Sequence, residues 1–204
     1  MYRPRAFVED DVAVLRDFIR KRAFATVAVA IEGRIHFAYT PVVLDGDGFG
    51  RVRFHLAKAN PVCTAADGAT LNFSFLGDDA YVSPDWYDTP GRVPTWNYTA
   101  VEASGTARKL ARDELRQLLV DISADQEMRL LPKEPWRIEK LDPAKLEGLL
   151  EAIDGFEVVL DSLEGKFKLS QNVGGADKNG AIAGLEGRTD ARSLAIARAM
   201  KSTR

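Results

Sequence analysis

Between Phe24 and Leu44 two runs of β-forming residues, Phe24–Ile31 and Arg34–Leu44, are joined by nothing more than Glu32-Gly33. So short a connection lays the second run alongside the first, so the spacing predicts a β-hairpin and commits the fold to an antiparallel sheet. The tract Asp45-Gly46-Asp47-Gly48 turns the chain again. Arg51–Leu56 and Leu71–Phe75 alternate polar and apolar side chains as half-buried strands do, and Tyr81–Ser83 and the long run Val93–Leu110 supply further strands. Gly155–Leu169 returns to strand character, with Phe156, Val158 and Leu160 on one side.

Helices are expected around this sheet. In Asp10–Arg22 the apolar Val14, Leu15, Phe18 and Ile19 share a face opposite Arg16, Asp17, Arg20 and Lys21. Asn60-Pro61 opens a helix within Lys58–Asp67, and Asp142-Pro143 opens one that runs to about Ile153, because proline at the first helical position presets φ. Asp113 is expected to cap a helix to about Glu127, its carboxylate accepting an otherwise unpaired amide. After Asn172 the pairs Gly174-Gly175 and Asn179-Gly180 predict loops, and Thr189 is expected to cap a last helix over Asp190–Lys201. No internal repeat is present. The reading is an α+β fold with a mainly antiparallel sheet: one domain over 1–172 with a helical insert at about 112–153, then a loop and helical tail over 173–204 that is either mobile or packed on a partner.

Composition removes several function classes. The 204 residues, 46% apolar and 28% charged, are those of an ordinary globular chain. The longest strongly apolar stretch, Ala23–Ile31, reaches only about half the ~20 residues of a spanning helix. Glu9, Asp10 and Asp11 stand where a signal peptide needs its apolar stretch, so the expected compartment is the cytoplasm. Cys63 is the only cysteine, which excludes an internal disulfide and reads as a buried, inert thiol; His36 and His55 are the only histidines, and no metal-ligand spacing joins them. No glycine-rich phosphate loop and no Gly-x-Ser-x-Gly elbow occurs, so kinase and hydrolase readings fall away. Lys and Arg total 28 against 30 for Asp and Glu, leaving no overall basic excess for nucleic acid. Any DNA contact would have to be local, at the basic tail of Arg188, Arg192, Arg198, Lys201 and Arg204, which reads otherwise as a solvated helix face.

Three segments carry polar chemistry. Arg53, His55 and Lys58, with Asn60, place donors at a strand end and the start of the following helix: either a phosphate pocket, or solvated charges at a sheet rim with His55 a satisfied rim or core histidine. In Pro94-Thr95-Trp96-Asn97-Tyr98, alternation puts Thr95 and Asn97 on one face and Trp96 and Tyr98 on the other, so only one pair can face a given ligand; Trp96 and Tyr98 read equally as core or interface aromatics. Lys166, Lys168 and Ser170 share a face if the strand persists that far, to hold a phosphate or an acidic partner, or to guard a strand edge; Gln171 and Asn172 add donors and acceptors of the kind an isoalloxazine edge requires. Asp85-Trp86-Tyr87 and Glu134-Pro135-Trp136 read as packing corners.

Taken in order, Met1-Tyr2-Arg3-Pro4 with Phe7, Phe54–Pro61, Tyr81–Tyr87, Val93–Tyr98, Glu134–Trp136 and Lys166–Asn172 resemble the PaiB-type, FMN-binding negative transcriptional regulators over Met1 to about Leu185. The resemblance implies a split β-barrel of the flavin-binding, pyridoxamine-phosphate-oxidase-like kind with peripheral helices. It implies FMN as cofactor, a homodimer with the flavin at its interface, and a ligand-responsive regulator without catalytic residues; a flavin-dependent oxidoreductase is the alternative on the same barrel. Carried onto this chain, it implies cofactor contacts from Arg53, His55, Lys58, Asn60, Thr95, Asn97, Lys166, Lys168, Ser170, Gln171 and Asn172. Lys58 replaces the family's usual arginine, Val173 a basic residue, and the stretch from Tyr87 to Val93 is short.

Overall fold

In the computed structural model, which describes residues 1–203, the chain runs β1 (Val8–Glu9), α1 (Val12–Arg22), β2 (Phe24–Ile31), β3 (Arg34–Asp45), β4 (Arg51–Ala57), α2 (Pro61–Ala66) and β5 (Thr70–Val82). It continues through β6 (Thr95–Lys109), α3 (Arg112–Met128), α4 (Pro143–Glu151), β7 (Ile153–Val159), β8 (Ser162–Lys168), α5 (Gly175–Glu186) and α6 (Ala191–Ser202). The hairpin at Glu32-Gly33 forms as expected: both residues adopt left-handed φ, 48° and 76°, as a two-residue primed turn requires, and Ile31 pairs with Arg34 across it.

The eight strands make one antiparallel sheet in the order β1-β8-β6-β5-β2-β3-β4-β7, and β6 also pairs with β7, so six of them close into a ring. The α+β, split-barrel expectation is met. The residues group into two compact units, one of Val12–Phe75 with Glu102–Leu163, the other of Met1–Asp11, Leu76–Val101 and the residues from Glu164 on.

The first unit owns the ring's core. Alternation along β2 sends Ala25, Val27 and Val29 inward, and along β4 Val52, Phe54 and Leu56. Phe54 stacks on Phe156 at 5.6 Å between centroids and meets Phe73 edge-on at 5.5 Å. Each such fully buried aromatic contributes about 1.5–3 kcal/mol of burial. The helical insert buries Leu115, Leu118, Leu146 and Leu150, with Trp136 packed against them as a corner. The opposite face of the β2–β3 hairpin stays apolar and bare, with Phe24, Ile35, Phe37 and Tyr39 56–68% exposed.

The second unit contains the far halves of β5 and β6, the end of β8, and the two C-terminal helices, whose Ala181, Leu185, Ile196 and Met200 are buried with Val82 and Leu169. Two sequence expectations fail here. Asn179-Gly180 is no loop, and Gly174-Gly175 begins a helix: α5 runs unbroken from Gly175 to Glu186. Its glycines serve proximity instead of turning, because a Cβ at Gly180 would lie 1.9 Å from the Trp86 carbonyl oxygen and one at Gly184 2.2 Å from the Trp86 ring.

Other boundaries move for physical reasons. Leu71–Phe75 and Tyr81-Val82 belong to the single strand β5, since Gly77-Asp78-Asp79 keep extended backbone within the sheet, while Ser83 lies past its end and caps a short 3-10 helix over Pro84–Trp86. Gly155–Leu169 is two strands, broken where the Leu160 amide turns to the Gly50 carbonyl and the Asp161 amide to that of Ser104. Helix α3 starts before Asp113, with Glu114 reaching back to accept from the Ala111 amide at 2.7 Å, half of a capping box. Asp190, not Thr189, caps α6, accepting from the Ser193 amide at 2.9 Å. Asn60 and Asp142 cap α2 and α4 as expected. Among the described residues no helix is long and apolar enough to cross a membrane.

Candidate functional site

The second unit holds a cavity of about 160 Å³ lined by Tyr87, Arg92, Val93, Thr95, Asn97, Lys168, Ser170, Asn172 and Val173. Three segments build it. The start of β6 presents alternate residues Thr95 and Asn97 inward while Trp96 points out, 55% exposed and edge-on to Tyr81 at 6.1 Å. Lys168 ends β8. The chain then turns at Ser170, whose φ of 62° lies in the left-handed region that side chains rarely adopt. Gln171 holds that turn, its Oε1 accepting from the Leu169 amide at 2.7 Å and its Nε2 donating to the Phe167 carbonyl at 2.5 Å. The strained backbone carries the Ser170 hydroxyl into the cavity wall, buried beneath Asn97.

Asn97 is the buried polar centre, 1% exposed. Its Nδ2 donates to Ser170 Oγ at 2.9 Å and lies 3.3 Å from Met200 Sδ. A thioether only accepts, so the amide nitrogen belongs on that side and Oδ1 on the other. Oδ1 is buried without a hydrogen-bond partner. A buried acceptor left so costs about 1–3 kcal/mol.

Lys168 donates to the Trp96 carbonyl at 2.6 Å and to Thr95 Oγ1. Among the described residues no carboxylate pairs with it, and burial, with Lys166 nearby, holds its pKa below the usual lysine range. Lys166 lies outside the lining, its ammonium 5.4 Å from both the Tyr2 and Tyr98 ring centres. Arg92 is held over the Tyr87 ring at 5.8 Å and bound by the buried Asp177 of α5, which accepts from its Nε at 2.9 Å and Nη2 at 2.6 Å and from the Thr89 amide at 2.9 Å. The Thr89 amide first, then Arg92, keeps the Asp177 carboxyl below its ordinary range.

Five expected positions, Thr95, Asn97, Lys168, Ser170 and Asn172, thus line one cavity, and Gln171 supports it from behind. The expected Arg53, His55, Lys58 and Asn60 lie in the first unit. Asp45 and Asp121 both clamp Arg53, at 2.6 and 2.7 Å, and raise its pKa against the opposing effect of burial. Asn60 Oδ1 caps α2 through the Val62 amide, and Lys58 stands 3.9 Å from Asp154. Burial lowers the His55 pKa, and its Nδ1 has no partner.

Sequence reasoning passed over Arg92, Asp177 and Met200, and read Tyr87, which lines the cavity, as part of a packing corner. Only Arg92 left a signal, a lone cation in a glycine- and proline-rich loop next to Val93–Tyr98. In the basic tail, Arg188 is bound to Asp190, Arg192 lies 3.6 Å from Asp79 and Lys201 is bound to Glu186, so three of its charges are matched; Arg204 lies outside the described residues.

At about 160 Å³ the cavity is below the ~300 Å³ of whole-ligand pockets, and its lining is rich in hydrogen-bond donors. Comparisons with known proteins identify the family and the fold. A family model described as "Putative FMN-binding domain" matches residues 1–162. Protease synthase and sporulation protein PAI 2 of Bacillus subtilis is 29% identical over 203 residues, covering 98% of this chain and 97% of that protein. The FAD- and heme-binding protein from Mycobacterium smegmatis superposes with a TM-score of 0.58 at 18% identity, over 79% of this chain and 73% of that one. The flavocytochrome Anf3 from Azotobacter vinelandii gives 0.57 at 16% identity, over 82% and 72%. At these identities the two structures speak for fold alone.

Proposed function

Because the chain belongs to the FMN-binding domain family and is a flavin-binding split-barrel protein, we propose that it works as a homodimeric, ligand-responsive regulator of transcription whose ligand is FMN. The observation that carries the ligand is a cavity lined by two cations, Arg92 and Lys168, of which no carboxylate neutralises Lys168 among the described residues. An anionic ligand answers that charge. Regulation is supported by the Bacillus subtilis relative, named for protease synthase and sporulation. The dimer is supported by the bare face of Phe24, Ile35, Phe37 and Tyr39, a contiguous exposed apolar surface of the kind that marks an interaction site.

In this reading Lys168, Arg92 and Asn97 bind and orient the ligand, Ser170 and Met200 fix the Asn97 amide, and Asp177 holds the Arg92 loop. FMN itself supplies a reversible acceptor of electrons. Titrating FMN into the purified protein is expected to quench flavin fluorescence to saturation; no saturation up to millimolar FMN refutes the proposal. One observation favours the second reading, a flavin-dependent oxidoreductase: the ammonium-bearing Lys168 lines the cavity. Sustained NADH or NADPH consumption by the FMN-loaded protein selects that reading, and none selects the regulator.

A further inference from the structure

The corner at Glu134-Pro135-Trp136 packs on the helical insert, and it also walls a second cavity, of about 250 Å³, in the first unit. One wall is a face of α3, where Val120, Ala124 and Met128 follow the i, i+4, i+8 spacing that stacks side chains along a helix. The other is the segment 135–139, through Pro135, Trp136 and Ile138. Helix α3 itself fixes that second wall. Glu127 accepts from the Trp136 amide at 2.8 Å and from the Lys133 ammonium, and Ile138 is buried in the core of the insert. Both walls are set by the fold.

Size and lining restrict the occupant. An apolar cavity of ~150 Å³ holds one benzene ring, so a cavity of about 250 Å³ takes such a ring with a short polar head. The Trp136 indole and the Met128 thioether both favour an aromatic ring as neighbour. The ionisable part of the lining is Arg137 and Glu139, one charge of each sign. Among the described residues neither side chain has an ion-pair or hydrogen-bond partner. A simple acid would bring like charge to Glu139, and a simple amine would bring it to Arg137. An aromatic ring whose head carries both charges answers the whole lining.

We propose that this cavity binds a free aromatic amino acid of phenylalanine's size, its ring between α3 and Trp136, its carboxylate paired with Arg137 and its ammonium with Glu139. The site does not rest on the flavin reading, and it makes a free amino acid a second ligand of the protein.

Calorimetric titration of the full chain tests it. Phenylalanine is expected to bind saturably. Three analogues are each expected to bind at least about tenfold more weakly, or ~1.4 kcal/mol: 3-phenylpropionate without the ammonium, phenethylamine without the carboxylate, and glycine without the ring. No saturation at millimolar phenylalanine overturns the proposal, and so does any of the three binding as tightly as phenylalanine. From the protein side, Arg137→Gln is expected to weaken phenylalanine and leave phenethylamine unchanged, and Glu139→Gln to weaken phenylalanine and leave 3-phenylpropionate unchanged. Undiminished phenylalanine binding by either variant, or an equal loss for its analogue, overturns the pairing. Ala124 is exposed on α3, so Ala124→Phe is expected to keep the wild-type circular dichroism while it fills the cavity and abolishes phenylalanine binding. Undiminished binding by that folded variant places the amino acid elsewhere and overturns the site.

Discussion

At the residue scale, the decisive groups are polar atoms whose partners are incomplete. Asn97 and His55 both bury an atom without one, yet their situations differ. Asn97 borders a cavity among donors, whereas His55 sits at a strand position in the ring, its backbone carbonyl accepting from Thr40 Oγ1 at 2.8 Å. For His55, burial favours the neutral ring and depresses the folded pKa below the ordinary 6.5. Its contribution to stability is therefore complete above about pH 6.5 and is lost as pH falls through the lower folded value. Thermal melts from pH 7.5 to 5 are expected to show a falling midpoint, and His55→Leu to flatten that fall; an unchanged slope removes His55 as the cause. Asp177 follows the same sign at lower pH: its depressed carboxyl keeps the Thr89 and Arg92 bonds above its ordinary 3.8 and loses them as acid protonates it.

At the scale of elements, α5 defines what local reading misses. Its glycines carry the signature of turns, and three-dimensional proximity gives them another purpose, to let the helix approach the Trp86 corner. Two substitutions separate these meanings. Gly148 lies in α4 with open space where a Cβ would stand, so Gly148→Ala is expected to stabilise the protein by about 1 kcal/mol through helix propensity. Gly184→Ala gains the same propensity but drives a methyl onto the Trp86 ring, and overpacking of about 1–3 kcal/mol should outweigh it. Urea unfolding of the two variants reads the opposite signs directly. If both stabilise, the α5 approach to Trp86 is looser than the 2.2 Å separation implies.

For the whole molecule, the proposed dimer is tested at the bare β2–β3 face. Phe37, 58% exposed on that face, is expected to tolerate Phe37→Glu within the fold while the proposed dimer dissociates to monomers. Light scattering gives the mass and circular dichroism the fold; a wild-type monomer at micromolar concentration would refute the dimer. Much of the architecture was legible beforehand because it is local. The turn at Glu32-Gly33, the alternation in β4 and in Thr95–Tyr98 of β6, and the capping of α2 and α4 depend on residues within a few positions of one another. The pairing of Thr95 with Asn97 on one face came from that same alternation. What the sequence could not settle is who meets whom across long separations: Met200 against Asn97, 103 residues apart, and Asp177 against Arg92, 85 apart. Periodicity assigns each side chain a direction, but a partner exists only once the backbone has closed, so the open acceptor at Asn97 and the latch on Arg92 are properties of the tertiary structure alone.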